Sequence, residues 1–233
     1  NENDISNLEY FIIPGIDIES SIKARDFSLA YPSKSYWSAG LHPHEADGLE
    51  DVKQELLSLM QDSDLIGETG LDYYRNLSSK ENQIKNFEFH INIAEDLNKP
   101  LIIHCRDSFS DVFDILSNRN LNNPIILHSW TGGNKWTKKF VELGVYFSIS
   151  GIITYDTAHD LQAAVTKIPT DKLLLETDVP YLAPQPFKGK RNNPTYIKYT
   201  GAKVAELIDL TPNELSKITI TNTNKVMNRE NNE

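Results

Sequence analysis

Five ionisable side chains stand at matching places relative to short apolar runs. His42 lies two residues after Tyr36–Gly40, Glu68 follows Leu65–Gly67, and His104 closes Leu101–Ile103. His128 closes Ile125–Leu127, and Asp178 sits two residues past Leu173–Glu176. Neutral imidazole nitrogens and carboxylate oxygens are ligands for divalent cations. A mixed set suits Zn, Mn, Fe or Ni, with Mg where oxygen dominates. A cation held this way lowers the pKa of its water and polarises a carbonyl or phosphoryl oxygen. Taken singly, each residue has an ordinary explanation: a satisfied core histidine, a helix-capping carboxylate, an ion pair. Taken together, at the ends of separate runs, they point to a metal site.

Such a site requires the runs to be strands that deliver their ends to one face. Runs at Tyr10–Ile13, Tyr36–Gly40, Leu65–Gly67, Leu101–His104, Ile125–His128, Tyr146–Ile149 and Leu173–Glu176 read as strands. Helical periodicity lies between them: Glu19–Ala30, Leu49–Met60, Lys80–Leu97, Phe109–Asn118, Lys135–Leu143, Ala158–Lys167 and Pro194–Leu207. Thr211-Pro212 reads as an N-cap and first-turn proline for a last helix, Asn213–Ile220. Strict alternation predicts an α/β fold with a parallel sheet and right-handed crossovers. A TIM-type (β/α)8 barrel is one solution and an open doubly wound sheet the other; no Gly-x-Gly-x-x-Gly follows the first strand. Seven units and an opening Asn1-Glu2-Asn3-Asp4-Ile5 that reads like a helix end favour a barrel whose first unit is truncated or missing. No linker or repeat divides residues 1–233, which read as one domain, with an Asn-rich tail over 222–233 expected to fray.

Composition narrows the partners. The net charge of −10 argues against charge-driven gripping of duplex DNA, though bound cations can supply positive charge to a nucleic-acid substrate locally. A single cysteine, Cys105, excludes an internal disulfide and suits a reducing cytoplasm. No apolar run approaches the roughly 20 residues a bilayer crossing needs, so no membrane partner is expected, and no obligate protein partner is evident.

Six strings together resemble the TatD family of metal-dependent deoxyribonucleases. They are Gly40-Leu41-His42-Pro43-His44, Ile66 through Tyr74 (IGETGLDYY), Ile103-His104-Cys105-Arg106-Asp107, Leu127 through Gly132 (LHSWTG), Leu174 through Pro184 (LLETDVPYLAP) and Gly189 through Pro194 (GKRNNP). The resemblance spans about residues 10 to 225. It implies an amidohydrolase-like TIM barrel that hydrolyses phosphodiesters of DNA, often as a 3′-to-5′ exonuclease. It also implies one or two divalent ions per chain, Mg or Mn foremost and Zn as an alternative, and DNA bound transiently. By the family pattern Glu68 ligates and bridges metals, and His104 and His128 bind the second. Asp178 binds the first and handles the proton of the attacking water, while His42 faces the substrate phosphate. The family's first strand usually carries His-x-His, and no His precedes His42 here. The pair is either lost with a missing start or replaced in a substituted first strand.

Other residues are secondary. Arg191 is a candidate phosphate clamp, and Tyr73, Tyr74 and Trp130 are candidate stacking platforms for unpaired bases. Arg106 is expected to pin its loop through a carboxylate, His44 to cap the following helix, His90 and His159 to be structural, Cys105 to be a buried small residue, and Glu176 to orient a neighbouring ligand. Two other functions compete with DNA hydrolysis: a metal-dependent ester or amide hydrolase such as an aminoacyl-tRNA deacylase, and a non-enzymatic barrel with a degraded metal site.

Overall fold

The computed structural model describes residues 5–6, 8–119 and 122–228. Its elements alternate as the periodicity predicts. The strands are β1 (Phe11–Ile13), β2 (Ser35–Ala39), β3 (Leu65–Asp72), β4 (Leu101–Arg106), β5 (Ile125–Leu127), β6 (Tyr146–Ile149) and β7 (Leu173–Leu175). The helices are α1 (Ile18–Ala30), α2 (Leu49–Asp62), α3 (Lys80–Leu97), α4 (Phe109–Ser117), α5 (Asn134–Glu142), α6 (His159–Val165), α7 (Ile197–Leu207) and α8 (Pro212–Val226). Among the described residues no helix is long and apolar enough to cross a membrane.

Contacts divide the chain into two compact units, one spanning Glu9–Leu127 and the other running from His128 onward together with the described residues before Glu9. In the first unit β1 to β5 pair in sequence order, each parallel to the next. Their side chains are largely buried, which is why these strands read as continuous apolar runs rather than alternating ones. In the second unit β6 pairs in parallel with β7.

Two strands outrun their apolar cores. β3 continues to Asp72 and β4 to Arg106, so Glu68 and His104 lie within strands rather than at their ends. The register explains the extension. Ile66 sits opposite Leu101 and Thr69 opposite Ile103, so β3 carries one extra residue across from Ile102. A bulge of this kind re-aims the side chain beside it. Two glycines make room for it. A Cβ on Gly40 would stand 2.3 Å from the Gly67 carbonyl carbon, and one on Gly70 would stand 2.0 Å from the His104 carbonyl oxygen.

For residues 222–226 the last helix corrects the expectation of a frayed tail. α8 runs through Asn222 to Val226, opened by a capping box between Thr211 and Glu214. Asn222 is buried and donates from Nδ2 to the carbonyls of Thr170 and Leu173, each at 2.8 Å. A polar composition concealed an anchored face formed by Leu215, Asn222 and Val226. Residues 229–233 and the opening segment 1–4 lie outside the described residues.

Helix α3 carries a buried polar row that ties strand ends down. Asn86 donates to the Leu41 carbonyl at 2.7 Å, and His90 Nε2 accepts from the Leu41 N–H at 3.0 Å while its Nδ1 meets the Asn86 carbonyl at 2.7 Å. These bonds require a neutral ring protonated on Nδ1, and burial lowers its pKa to about 4. The folded pKa lies below the unfolded 6.5, so the unfolded chain binds the extra proton. Stability is therefore whole above about pH 6.5 and is lost as pH falls towards 4, by roughly 3 kcal/mol over the window. Urea midpoints at pH 7 and pH 5 check this: the wild type should weaken with acid more than His90→Gln, and equal losses in both would contradict it.

Candidate metal centres

In the first unit, Glu68 is the hub. Its Oε1 lies 3.3 Å from His42 Nε2 and 3.1 Å from His104 Nδ1. Past the bulge, β3 alternates so that Glu68, Gly70 and Asp72 share one face, and Asp72 Oδ2 meets His104 Nε2 at 3.1 Å and His44 Nε2 at 2.8 Å. Asp72 Oδ1 accepts the backbone N–H groups of Tyr74 and Arg75, and the Asp72 backbone is held by Gln83 of α3. Burial alone would raise the Asp72 carboxyl. The bonds from His104, Arg75 and His44 outweigh it and hold the group well below the usual carboxylate range.

Both nitrogens of His104 thus face carboxylate oxygens. A neutral imidazole has one N–H to offer. If Nε2 donates to Asp72, the Nδ1 lone pair points at Glu68. That contact is favourable when a positive charge stands there, as a second ring proton or as a shared cation. His42 is oriented differently. Its Nδ1 accepts the His44 N–H at 3.2 Å, which leaves the proton of the neutral ring on Nε2 and makes it a donor towards Glu68. Burial lowers its pKa and outweighs the opposing pull of Glu68. To ligate through Nε2, His42 must give up the bond from His44.

The second unit holds its own cluster. His128, Glu176 and Asp178 each offer a ligand atom, all within 4.8 Å of one another, as do His42, Glu68 and His104 in the first unit. His128 Nδ1 lies 3.3 Å from Glu176 Oε1. Asp178 and Ser129, the latter just after His128, adopt left-handed backbone at φ 60 and φ 42. Non-glycine residues are held in that conformation mostly where surrounding structure fixes them, and such residues concentrate at functional sites. Both clusters combine imidazole nitrogen with carboxylate oxygen at a spacing that fits a divalent cation as shared partner.

Placement of the other residues is mixed. Glu176, read from sequence as an orienting group, is itself within ligand distance of the second cluster. Arg191 is exposed on the loop after β7. Trp130 is corrected: it is 1% exposed, packed edge-on against Phe140 and Phe147, and donates from Nε1 to Thr137, so its ring belongs to the core and cannot stack on a base. The Tyr73 hydroxyl donates to Asp111 at 2.7 Å, and the Lys80 ammonium covers one ring face at 3.9 Å. Arg106 lies over the Tyr74 ring at 3.9 Å in place of the expected carboxylate contact. His44 binds Asp72, while the side chain of His42 caps the short 3-10 segment Pro43–Gly48. Cys105 is buried and its pKa is pushed up to about 12 by that burial, which suits a packing role. Sequence reasoning missed Asp72. The signal was the period of two from Glu68, hidden because the strand was read as ending at Gly67.

Comparison with known proteins agrees with this chemistry. The sequence model of the family described as TatD related DNase matches residues 2–228. The uncharacterized metal-dependent hydrolase YabD of Bacillus subtilis is 34% identical over 225 residues, covering 94% of this chain and 87% of the relative. The uncharacterized metal-dependent hydrolase YcfH of Escherichia coli is 38% identical over 189 residues, covering 80% and 71%. The crystal structure of YjjV, a TatD homolog from Escherichia coli, matches with a TM-score of 0.88 at 26% identity, covering 94% of this chain and 86% of that one. The fold is thus the α/β class of parallel strands and crossover helices expected from the alternation.

Asp72 is the partner that fixes which His104 nitrogen faces Glu68. Loss of such an outer partner typically costs about 10- to 100-fold in metal affinity. Asp72→Asn should weaken Mn(II) binding at the Glu68–His104 pair by that range in isothermal titration; an unchanged affinity would remove Asp72 from the site's design.

Proposed function

The chain belongs to the TatD-related family of metal-dependent hydrolases, and within that class we propose that it cleaves phosphodiester bonds of DNA, as a 3′-to-5′ exonuclease acting on single-stranded or free ends. The observation that carries the reading is the pair of mixed imidazole–carboxylate clusters, with a histidine N–H donor, His42, beside one of them. Glu68 and His104 are the residues that would hold one divalent cation; His128 and Asp178, with Glu176, would hold another. Mg or Mn suits the carboxylate-rich share of these donors and Zn the imidazoles. Bound there, a cation supplies charge stabilisation on phosphoryl oxygens and acidifies water.

The chain's own groups do the rest. Asp178 takes the proton of the attacking water as the water oxygen bonds to phosphorus; the bond from phosphorus to the 3′ oxygen breaks, and that oxygen leaves with the electron pair and gains a proton from solvent. With Glu68 turned to a cation, His42 is released to donate from Nε2 to a non-bridging phosphate oxygen, a role open to a ring whose proton is fixed on that nitrogen. Arg191 offers paired N–H groups to phosphate oxygens elsewhere along the strand.

Single-stranded DNA labelled at its 5′ end should shorten from the 3′ end with Mg or Mn present. His128→Ala should slow this by about a hundredfold or more, and a chelator should abolish it. Activity that survives both would end the metal mechanism. Hydrolysis of carboxylic esters or aminoacyl-tRNA with none of DNA would transfer the site to carbonyl chemistry.

A further inference from the structure

We propose that the turn Phe187–Arg191 is a pre-shaped phosphate-binding finger that grips the DNA strand at phosphates beyond the one being cleaved. The inference rests on the phosphodiesterase reading and extends it to a substrate that must be a chain. In a protein of net charge −10, the 27 residues 179–205 contain Lys188, Lys190, Arg191, Lys198 and Lys203 and no acidic residue. Three of those cations fall within four positions at the tip of the loop that follows Asp178, and all three are exposed.

The tip is built to hold them in place. Lys190 N–H bonds to the Phe187 carbonyl at 2.9 Å, with Gly189 at φ 85, the positive-φ third position of a type II turn. A side chain at that position would be strained, so glycine lets the two lysines flank a tight bend. Below the turn, Phe187 stacks face to face on Tyr196 at 3.9 Å, and Tyr199 packs edge-on against Phe187. On the far side Asn192 is buried and donates from Nδ2 to the carbonyls of Thr177 and Tyr181, both at 2.6 Å, while its N–H reaches the Pro180 carbonyl at 3.0 Å. Thr177 immediately precedes Asp178. The finger is therefore anchored to the backbone that positions a cluster residue, and its cations are presented by a fixed turn rather than by a free tail. Tyr181, 69% exposed between Asp178 and the finger, offers an open ring face on which an unpaired base can stack. A rigid cationic tip with an exposed aromatic beside it is the combination that binds a single strand without sequence preference.

The test compares wild type with the triple variant Lys188→Gln, Lys190→Gln, Arg191→Gln on two substrates, bis(p-nitrophenyl) phosphate and a single-stranded oligonucleotide of about 12 nucleotides. The finger predicts that the variant loses at least about tenfold more kcat/KM on the strand than on the small diester. It also predicts that the slope of log kcat/KM for the strand against log salt flattens by about 2, since each phosphate contact on a single strand contributes roughly 0.7. Equal losses on both substrates, or an unchanged salt slope, would overturn the finger. A wild type inactive on both substrates would instead overturn the phosphodiesterase reading. In that case fluorescence anisotropy of the labelled strand with wild type and variant in chelator still decides the finger, with equal binding counting against it.

Discussion

One imidazole ring set between two carboxylate neighbours organises the first unit. His104 turns Nδ1 to Glu68 and Nε2 to Asp72, and only one of these contacts can be an ordinary neutral hydrogen bond. Asp72 is committed by four bonds, from two imidazoles and two backbone amides. The side that remains for positive charge is therefore the Glu68 side. The same logic fixes His42, whose Nδ1 is engaged by a backbone N–H and whose proton is thereby directed at Glu68. Carboxylates set among imidazoles form a donor set that suits a divalent cation.

The fold serves that arrangement through backbone proximity more than through side-chain bulk. Gly40 and Gly70 bring β2 and β4 against β3 where any side chain would collide, and the bulge opposite Ile102 turns Glu68 onto the face it shares with Asp72. Helix α3 then secures the ends of two strands, Leu41 through Asn86 and His90, and Asp72 through Gln83. In the second unit the device is local. Left-handed residues just after β5 and β7 redirect the chain at Ser129 and Asp178, next to and at the residues that meet Glu176.

Much of this was readable in the sequence because burial writes it there. Parallel strands covered on both faces give apolar runs, and α3 spans the Lys80–Leu97 that its periodicity predicts, with Ser79 as its N-cap and left-handed Asn98 at its end. What the sequence concealed was polar continuation. β3 past Gly67 carries glutamate, a glycine and aspartate, which read as a loop by propensity, yet they form a strand because β4 pairs with them. The same blindness shortened α8, whose Asn222 looks like tail and acts as an anchor. Aromatics failed in the other direction: Trp130 beside His128 suggested a platform for bases, and only packing against Phe140 and Phe147 shows it to be core. Glu68, His104, His128 and Asp178 could be named from their positions; the resemblance paired His104 with His128, whereas the ligand atoms that lie together group His104 with Glu68 and His128 with Glu176 and Asp178, because that depends on ring orientation.

The claim on which everything else depends is that Glu68 with His104, and separately His128, Glu176 and Asp178, are cation sites. Native mass spectrometry of the protein titrated with Mn(II) or Zn(II) tests it most directly. Two ions per chain are predicted, with Glu68→Gln and Asp178→Asn each retaining one. A wild type that binds neither metal, or variants that still hold two, would contradict it.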